Sequence, residues 1–314
     1  MANDNRISLV LGSGGARGLA HIGVIQALEE QGWQIASIAG ASMGALVGGL
    51  YAAGKLDEYR QWVCKVRRFD VLRLLDLSLG ASGLVKGERL IATLRQQLGD
   101  AEIEQLAIPF TAVATDLNDG REIWLTRGSL FSAIRASIGM PLFFHPYRYQ
   151  GRLLIDGGVV NPVPLAPVLR DGHNRVIAVN LNGPPLPAAA LQALLKEEEG
   201  HSLQQRLSEL FARLPGQRAH EETQQLGMLE VASQALDVMQ EVIARQRLAA
   251  YPPDLLVEIP RNLAGVLEFH RAGTLIAAGY QLAQAALAHA AMQPSVKPKP
   301  ALPADSAPAT TKER

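Results

Sequence analysis

Cysteine is almost absent. Cys64 stands alone in 314 residues, so no internal disulfide can staple the chain. With no histidine and cysteine cluster at ligand spacing either, a zinc site is not expected, and neither a metal nor any other cofactor is implied. Excess charge of one sign is lacking too. Thirty basic residues balance 30 acidic ones, which leaves no electrostatic footprint for nucleic acid or for strong adhesion to an anionic membrane. Any lipid contact is then expected to be local and apolar. The N-terminus has neither the basic stretch nor the long apolar stretch of an export signal. Cytoplasmic residence is the expectation, with any contact at the inner face of the membrane peripheral and transient.

Long uncharged runs are scarce, with one exception. Ile35 to Gly54 is twenty residues without a charge, the length a membrane span needs. Glycines and two serines interrupt it, and it reads better as a buried strand, a turn and a helix. What the chain does have is apolar residues, 48% of the total, enough for a substantial core in one large α/β domain with a short tail.

The pattern of elements supports that class. Ile7 to Leu11 is a run of aliphatic and β-branched residues that stops at glycines, as a buried strand does. Leu19 to Gln31 follows as a helix, with Leu19, Ile22, Ile25 and Leu28 forming an apolar stripe and Gly32 ending it. Ile35 to Ala39 is the next strand and Met43 to Ala53 the next helix. This alternation is that of a largely parallel sheet covered by helices, which places reactive groups at the carboxyl ends of strands. Leu56 to Leu98 is helical with interruptions at Gly80, Gly83 and Gly87. Phe110 to Thr115 and Arg121 to Thr126 flank the hairpin turn Asn118-Asp119-Gly120, and Tyr147 to Tyr149 pairs with Arg152 to Ile155. Val176 to Leu181 is a further strand. Gly183 to Arg218 is expected to be mobile or loosely docked. Two long helices, Glu221 to Ala249 and Val266 to Ala288, are bridged by an extended Leu255 to Ile259, and the composition after Gln293 is that of disorder.

Gly40-Ala41-Ser42-Met43-Gly44 fits G-x-S-x-G at a strand-to-helix junction, where a nucleophile elbow exposes a serine hydroxyl. The pentapeptide can also be a tight turn whose glycines serve packing alone. Upstream, Gly12-Ser13-Gly14-Gly15-Ala16-Arg17-Gly18 also joins a strand to a helix. Its successive N–H groups can converge on a developing oxyanion, helped by the helix dipole of about half a charge. Phosphate binding is the competing use, but G-x-G-x-x-G counted from Gly12 lands on Arg17, and no Gly-Lys-Ser/Thr makes a P-loop. Arg17 either holds the loop, contacts a substrate or is an ordinary surface cation.

A serine nucleophile needs a base. No serine has lysine three residues on. Of seven histidines, His21 lies inside the first helix and reads as structural, whereas His270 could complete a conventional triad after Asp156. Asp156 itself is the stronger candidate. It ends the apolar run Arg152 to Ile155 and precedes Gly157-Gly158, which allow a sharp turn beside another backbone. A carboxylate at the mouth of an apolar strand loses hydration, so its pKa should rise toward the range of a general base. An Asx turn is the plain alternative there, and Asp116 and Asp119 are rivals better explained by turn chemistry.

The glycine loop with Arg17, then G-x-S-x-G, then Asp156-Gly157-Gly158, in that order, resembles the patatin-like phospholipase family. Arg135-Ala136-Ser137-Ile138-Gly139-Met140-Pro141 is similar to a further block of that family. Tyr251-Pro252-Pro253-Asp254 and the segment Gly265 to Gly273 resemble the C-terminal part of its small bacterial members, relatives of the neuropathy target esterases. The resemblance implies a patatin-like three-layer α/β/α sandwich with added C-terminal helices. It implies Ser42 as nucleophile, Asp156 as base without any histidine, and an oxyanion hole from Gly14, Gly15 and their neighbours Arg17 and Gly18. Gly12, Gly40, Gly44, Gly157 and Gly158 would support these motifs. Ser13 departs from the family, whose loops often carry a longer glycine run. The implied chemistry is hydrolysis of lipid acyl esters through an acyl-serine. A regulatory or scaffold protein on the same fold is the alternative from another class.

The expected organisation is a catalytic core over residues 7–182, an insertion and C-terminal helices over 183–290 and a tail over 291–314. Leu203, Leu207, Leu210, Phe211 and Leu214 fall on one face of a helix, which suggests either a movable cover for lipid entry or a helix packed on the core or on a second subunit.

Overall fold

A computed structural model of the chain describes residues 5–74, 87–169, 171, 175–195 and 228–292. Eight strands form one sheet: β1 (Arg6–Leu11), β2 (Gln34–Ala41), β3 (Phe110–Asp116), β4 (Glu122–Leu125), β5 (Tyr147–Tyr149), β6 (Arg152–Asp156), β7 (Arg175–Gly183) and β8 (Leu255–Pro260). Five of them run parallel in the order β3-β2-β1-β7-β8, while β4, β5 and β6 form an antiparallel margin around β3. Strand β1 lies at the centre because its aliphatic run is buried on both faces. Ile7, Leu9 and Leu11 point to one side, and Val10 joins Ala39 and Ala178 on the other.

Helices cover both faces. On the first pack α1 (Ala20–Glu30), α2 (Met43–Ala52) and α9 (Ala272–Met292). The stripe Leu19, Ile22, Ile25 and Leu28 is wholly buried there, each side chain contributing about 1.5–3 kcal/mol of apolar transfer energy. Helices α1 and α9 touch backbone to backbone. A Cβ added at Gly23 would strike the Ile276 carbonyl, and one at Gly279 the Ala20 carbonyl. On the second face Val163, Leu165, Val168 and Ala244 of α8 (Met228–Ala250) cover Val10 and Ala178. The result is an α/β/α sandwich. The remaining helices are α3 (Leu56–Val63), α4 (Arg68–Leu74), α5 (Glu88–Leu98) and α6 (Leu130–Ser137).

As expected, the uncharged stretch Ile35 to Gly54 is divided between β2, the turn at Ser42 and α2, and among the described residues no helix is long and apolar enough to cross a membrane. Other expectations change. Residues beyond Gly183 are less loose than expected as far as Leu195. Here α7 (Ala188–Leu195) buries Ala190 and Leu194, and Asn262 clamps Leu186 through both its N–H and its carbonyl. Leu255 to Pro260 is more than a bridge, since it joins the sheet parallel to β7. The last helix starts at Ala272 rather than Val266, because Ala264 to Arg271 is spent on loop and 3-10 turn over the glycine-rich segment. The stretch Leu203 to Leu214 and the tail after Gln293 lie outside the described residues.

Register positions the site. Strands β1 and β2 are parallel neighbours with Leu11 opposite Gly40, so the glycine loop and Ser42 leave the sheet side by side. Strand β3 continues the alignment, with Val113 opposite Ala41. β4 occupies one edge of β3 from Ala112 to Thr115, so β2 and β6 must share the other. β6 takes over at Ala114, opposite Asp156, at the level where β2 ends. The carboxylate thus arrives directly above the serine.

Candidate active site

Ser42 sits between β2 and α2 with φ 56° and ψ −123°, a left-handed backbone that a residue with a side chain adopts at a cost of about 1–3 kcal/mol. The flanking glycines make the corner possible. A Cβ on Gly40 would meet the Gly44 carbonyl, and a Cβ on Gly44 would meet that of Leu11. The strained turn is held from outside: Ser137 Oγ accepts the Ser42 backbone N–H at 2.9 Å and donates to the Val113 carbonyl at 2.6 Å.

The Ser42 hydroxyl donates to Asp156 Oδ2 at 2.5 Å. Oδ1 accepts the Gly158 N–H at 2.7 Å and the Ser13 hydroxyl at 3.4 Å. Asp156 is completely buried, and burial pushes its carboxyl up to about 6, against the lowering effect of the bonds from Ser42, Gly158 and Ser13. Its main chain is pinned too. The Asp156 N–H donates to the Gly139 carbonyl at 3.0 Å, and Thr115 Oγ1 donates to the Asp156 carbonyl at 2.9 Å. Gly157 passes so close to Val113 O, and Gly158 to Ser13 Oγ, that neither position has room for a Cβ. The Asx turn and the base candidacy are therefore not alternatives. The same carboxylate caps Gly158 with one oxygen and meets Ser42 with the other.

The loop after β1 is tied down residue by residue. The Gly12 N–H goes to Val179 O, that of Ser13 to Pro162 O and that of Ala16 to Val266 O. The N–H groups of Gly14 and Gly15 have no such acceptor among the described residues, and Gly15, at φ +57°, lines the same cavity as Ser42. Arg17 is no surface cation, being 2% exposed. Its Nε donates to the Gly14 carbonyl at 3.1 Å, with further bonds to Arg261 O at 2.8 Å and Asp237 Oδ1 at 2.9 Å. Arg17 therefore faces the frame of the loop, not its open side. By holding the Gly14 carbonyl it turns the N–H of the same peptide, that of Gly15, the opposite way. Gly18 also belongs to the frame, where a Cβ would collide with that of Met43.

A cavity of about 80 Å³ opens from Ser42 and Gly15 and is walled by Leu46, Trp62, Val63, Val71, Leu94, Ile138, Phe143, Phe144 and Val266. Its lining is apolar almost throughout, and Ser42 is one of the few polar residues on it.

The other candidates are placed elsewhere or otherwise engaged. His21 is buried, and its Nε2 is 2.9 Å from the Gly12 carbonyl, so that nitrogen carries the proton. Burial lowers its pKa to about 4 and keeps it neutral. His270 lies on the 3-10 turn Phe269–Arg271, and its Nδ1 is buried without a hydrogen-bond partner among the described residues. Both Asp156 oxygens are already taken by Ser42, Ser13 and Gly158, so no serine–histidine–aspartate chain is formed. Asp116 is held by Arg152 at 2.9 Å and accepts the Asn118 N–H, which lowers its pKa. Asp119 is exposed at the turn.

Sequence reasoning assigned no role to Ser137 and Gly139, although it singled out their block; these two clamp Ser42 and Asp156 respectively. Asp237 had no local signal at all, being one acid among several in a long helix.

With this geometry in view, a family model described as patatin-like phospholipase matches residues 9–169. The NTE family protein Rv1063c of Mycobacterium tuberculosis is 42% identical over 328 residues, covering 90% of this chain and 91% of its own. Neuropathy target esterase sws of Drosophila melanogaster is 34% identical over 184 residues, 56% of this chain but 13% of the insect protein. VipD from Legionella pneumophila, a solved structure, is a distant likeness at TM-score 0.44 and 14% identity, over 90% of this chain and 67% of its own. On the family model and the near full-length mycobacterial relatives, the chain belongs to the patatin-like phospholipase family.

Proposed function

We propose that this protein hydrolyses carboxylic esters of lipids through an acyl-serine, with Ser42 as nucleophile and Asp156 as the sole general base. The observation that carries the reading is the 2.5 Å bond to a buried carboxylate from a serine that lines an apolar cavity. Membership of the family and the esterase named among its relatives support lipid ester hydrolysis as the reaction class.

An ester enters with its acyl chain in the cavity and its carbonyl oxygen at the Gly14 and Gly15 N–H groups. As Ser42 Oγ bonds to the carbonyl carbon, its proton passes to Asp156 Oδ2. The tetrahedral oxyanion is met by the glycine-loop amides and by the N-terminal dipole of α2, which begins at Met43. Collapse breaks the bond to the alcohol, which leaves with the proton from Asp156. Water then attacks the acyl-serine, gives one proton to the same carboxylate, and the fatty acid departs as the proton returns to Ser42. Arg17 and Gly18 shape the loop without touching the reacting atoms.

Fluorophosphonate labelling tests the nucleophile. The wild type is expected to become labelled, and to turn over a short-chain p-nitrophenyl ester, whereas Ser42→Ala does neither. A folded Asp156→Asn protein with wild-type turnover refutes the dyad. No labelling of the wild type favours a scaffold without turnover.

A further inference from the structure

Balanced total charge conceals a one-sided patch. Lys65, Arg67 and Arg68 fill the corner between α3 and α4, and all three are exposed. Arg73 adds a cation from the last turn of α4, and Arg89 faces the same groove from α5. Among the described residues no carboxylate forms an ion pair with Lys65, Arg67, Arg68 or Arg73. The nearest acid in sequence, Asp70, lines the same groove and accepts the Arg67 backbone N–H at 3.0 Å, so one carboxylate stands against five cations. In the middle of these cations stands Phe69 with 74% of its surface in water, the most exposed of the large apolar side chains described.

This corner adjoins the cavity. Trp62 and Val66 line both the Ser42 cavity and the groove that contains Lys65, Arg73 and Arg89. Two side chains, Trp62 and Val66, thus form a wall common to the cavity and the cationic groove. We propose that the α3–α4 corner is a docking surface for an anionic lipid bilayer. Its lysine and arginines meet the head-group phosphates, and Phe69 enters the acyl layer between them. Cations ringing an exposed aromatic side chain are the arrangement that favours the boundary between head groups and acyl chains. Each added cation near an anionic surface raises affinity about fivefold. A polynucleotide could offer phosphates and a base to stack on Phe69, but it gives no account of an adjoining apolar cavity.

As a deepening of the proposed function the idea rests on that reading, but its test does not. Full-length Ser42→Ala protein, which leaves lipid intact, is sedimented with phosphatidylcholine vesicles with and without phosphatidylglycerol. The expected result is binding to the anionic vesicles only, weakening as salt rises. Arg67→Glu/Arg68→Glu should lower that partitioning by about tenfold or more, and Phe69→Ser should lower it severalfold, whereas Arg121→Glu/Arg127→Glu on the distant hairpin should not. The Arg67→Glu/Arg68→Glu change, made with Ser42 intact, should leave hydrolysis of a soluble p-nitrophenyl ester at the wild-type rate, which shows the fold is sound. Equal binding to phosphatidylcholine alone, no binding, or equal loss in the hairpin variant overturns the docking surface. An inactive wild type that still binds anionic vesicles overturns the hydrolase reading and leaves docking standing.

Discussion

Ser137 and Ser42 are joined by a 2.9 Å bond from the backbone N–H of one to the side-chain oxygen of the other, across 95 residues of chain. The bond steadies a peptide at positive φ, so the hydroxyl of Ser42 keeps its aim at Asp156. Ser137→Ala deprives both the Ser42 N–H and the Val113 carbonyl of a buried partner, a loss of about 1–3 kcal/mol in stability. Turnover of a soluble ester should fall by about tenfold or more while KM changes little, the signature of a misaimed nucleophile. Unchanged kcat in a protein destabilised as expected would remove the aiming role and leave Ser137 a packing residue.

Asp237 reaches the glycine loop through Arg17. The carboxylate is 31% exposed and the guanidinium partner 3%, and the other donors of Arg17 hold Gly14 O and Arg261 O. Asp237→Ala should loosen the Gly14–Gly15 peptide and reduce kcat about tenfold, equivalent to ~1.4 kcal/mol in the barrier. Asp237→Asn, whose amide oxygen can still accept, should recover most of it. If alanine and asparagine variants are equally active, α8 has no part in shaping the loop.

Activity should depend on pH through Asp156. The base works only when ionised, so kcat/KM is expected to rise through a pH of about 6 and stay level above it. The Ser13 hydroxyl is one of the bonds that favour the ionised form. Ser13→Ala should therefore move the acid limb to higher pH, and a shift to lower pH contradicts the assignment of this limb to Asp156.

Stability should show the opposite face of the same residue. The folded-state pKa of Asp156 lies above the ordinary aspartate value of 3.8, at about 6. Protonated, the carboxyl sits comfortably in its burial, and as pH climbs from about 4 through 6 the fold must accommodate a desolvated charge. Folding stability thus declines across that window, by an amount on the order of 3 kcal/mol at most. Asp156→Asn removes the titration. It should be more stable than the wild type at pH 8, with the advantage shrinking below pH 5, as measured by denaturant titration. A variant equally destabilised at both values would show that hydrogen bonding outweighs desolvation.

Strand and helix positions through Ala53 were legible because each rests on neighbours in sequence, such as the Ile7 to Leu11 run or the stripe from Leu19 to Leu28. The same held for the hairpin at Asn118 to Gly120. The role of Leu255 to Pro260 in the sheet was not legible, because a parallel pairing with β7 joins residues some seventy-odd positions apart and leaves no mark on local pattern. Ser137 and Asp237 escaped for the same reason. An ordinary serine in a helix and an ordinary acid in another acquire meaning only from what lies across the fold.

By itself the sequence determined the chemistry on offer: a serine in a glycine-flanked corner, a glycine loop between a strand and a helix, and a carboxylate at the end of an apolar strand. Short-range sterics and hydrophobic periodicity are enough to specify those pieces. Tertiary structure alone decided that β2 and β6 share one edge of β3, so that Asp156, not His270, faces Ser42, and that Arg17 points away from the open side of its loop. Distances between such groups depend on strand register and on which edge each strand occupies, and these emerge only when the whole core is packed.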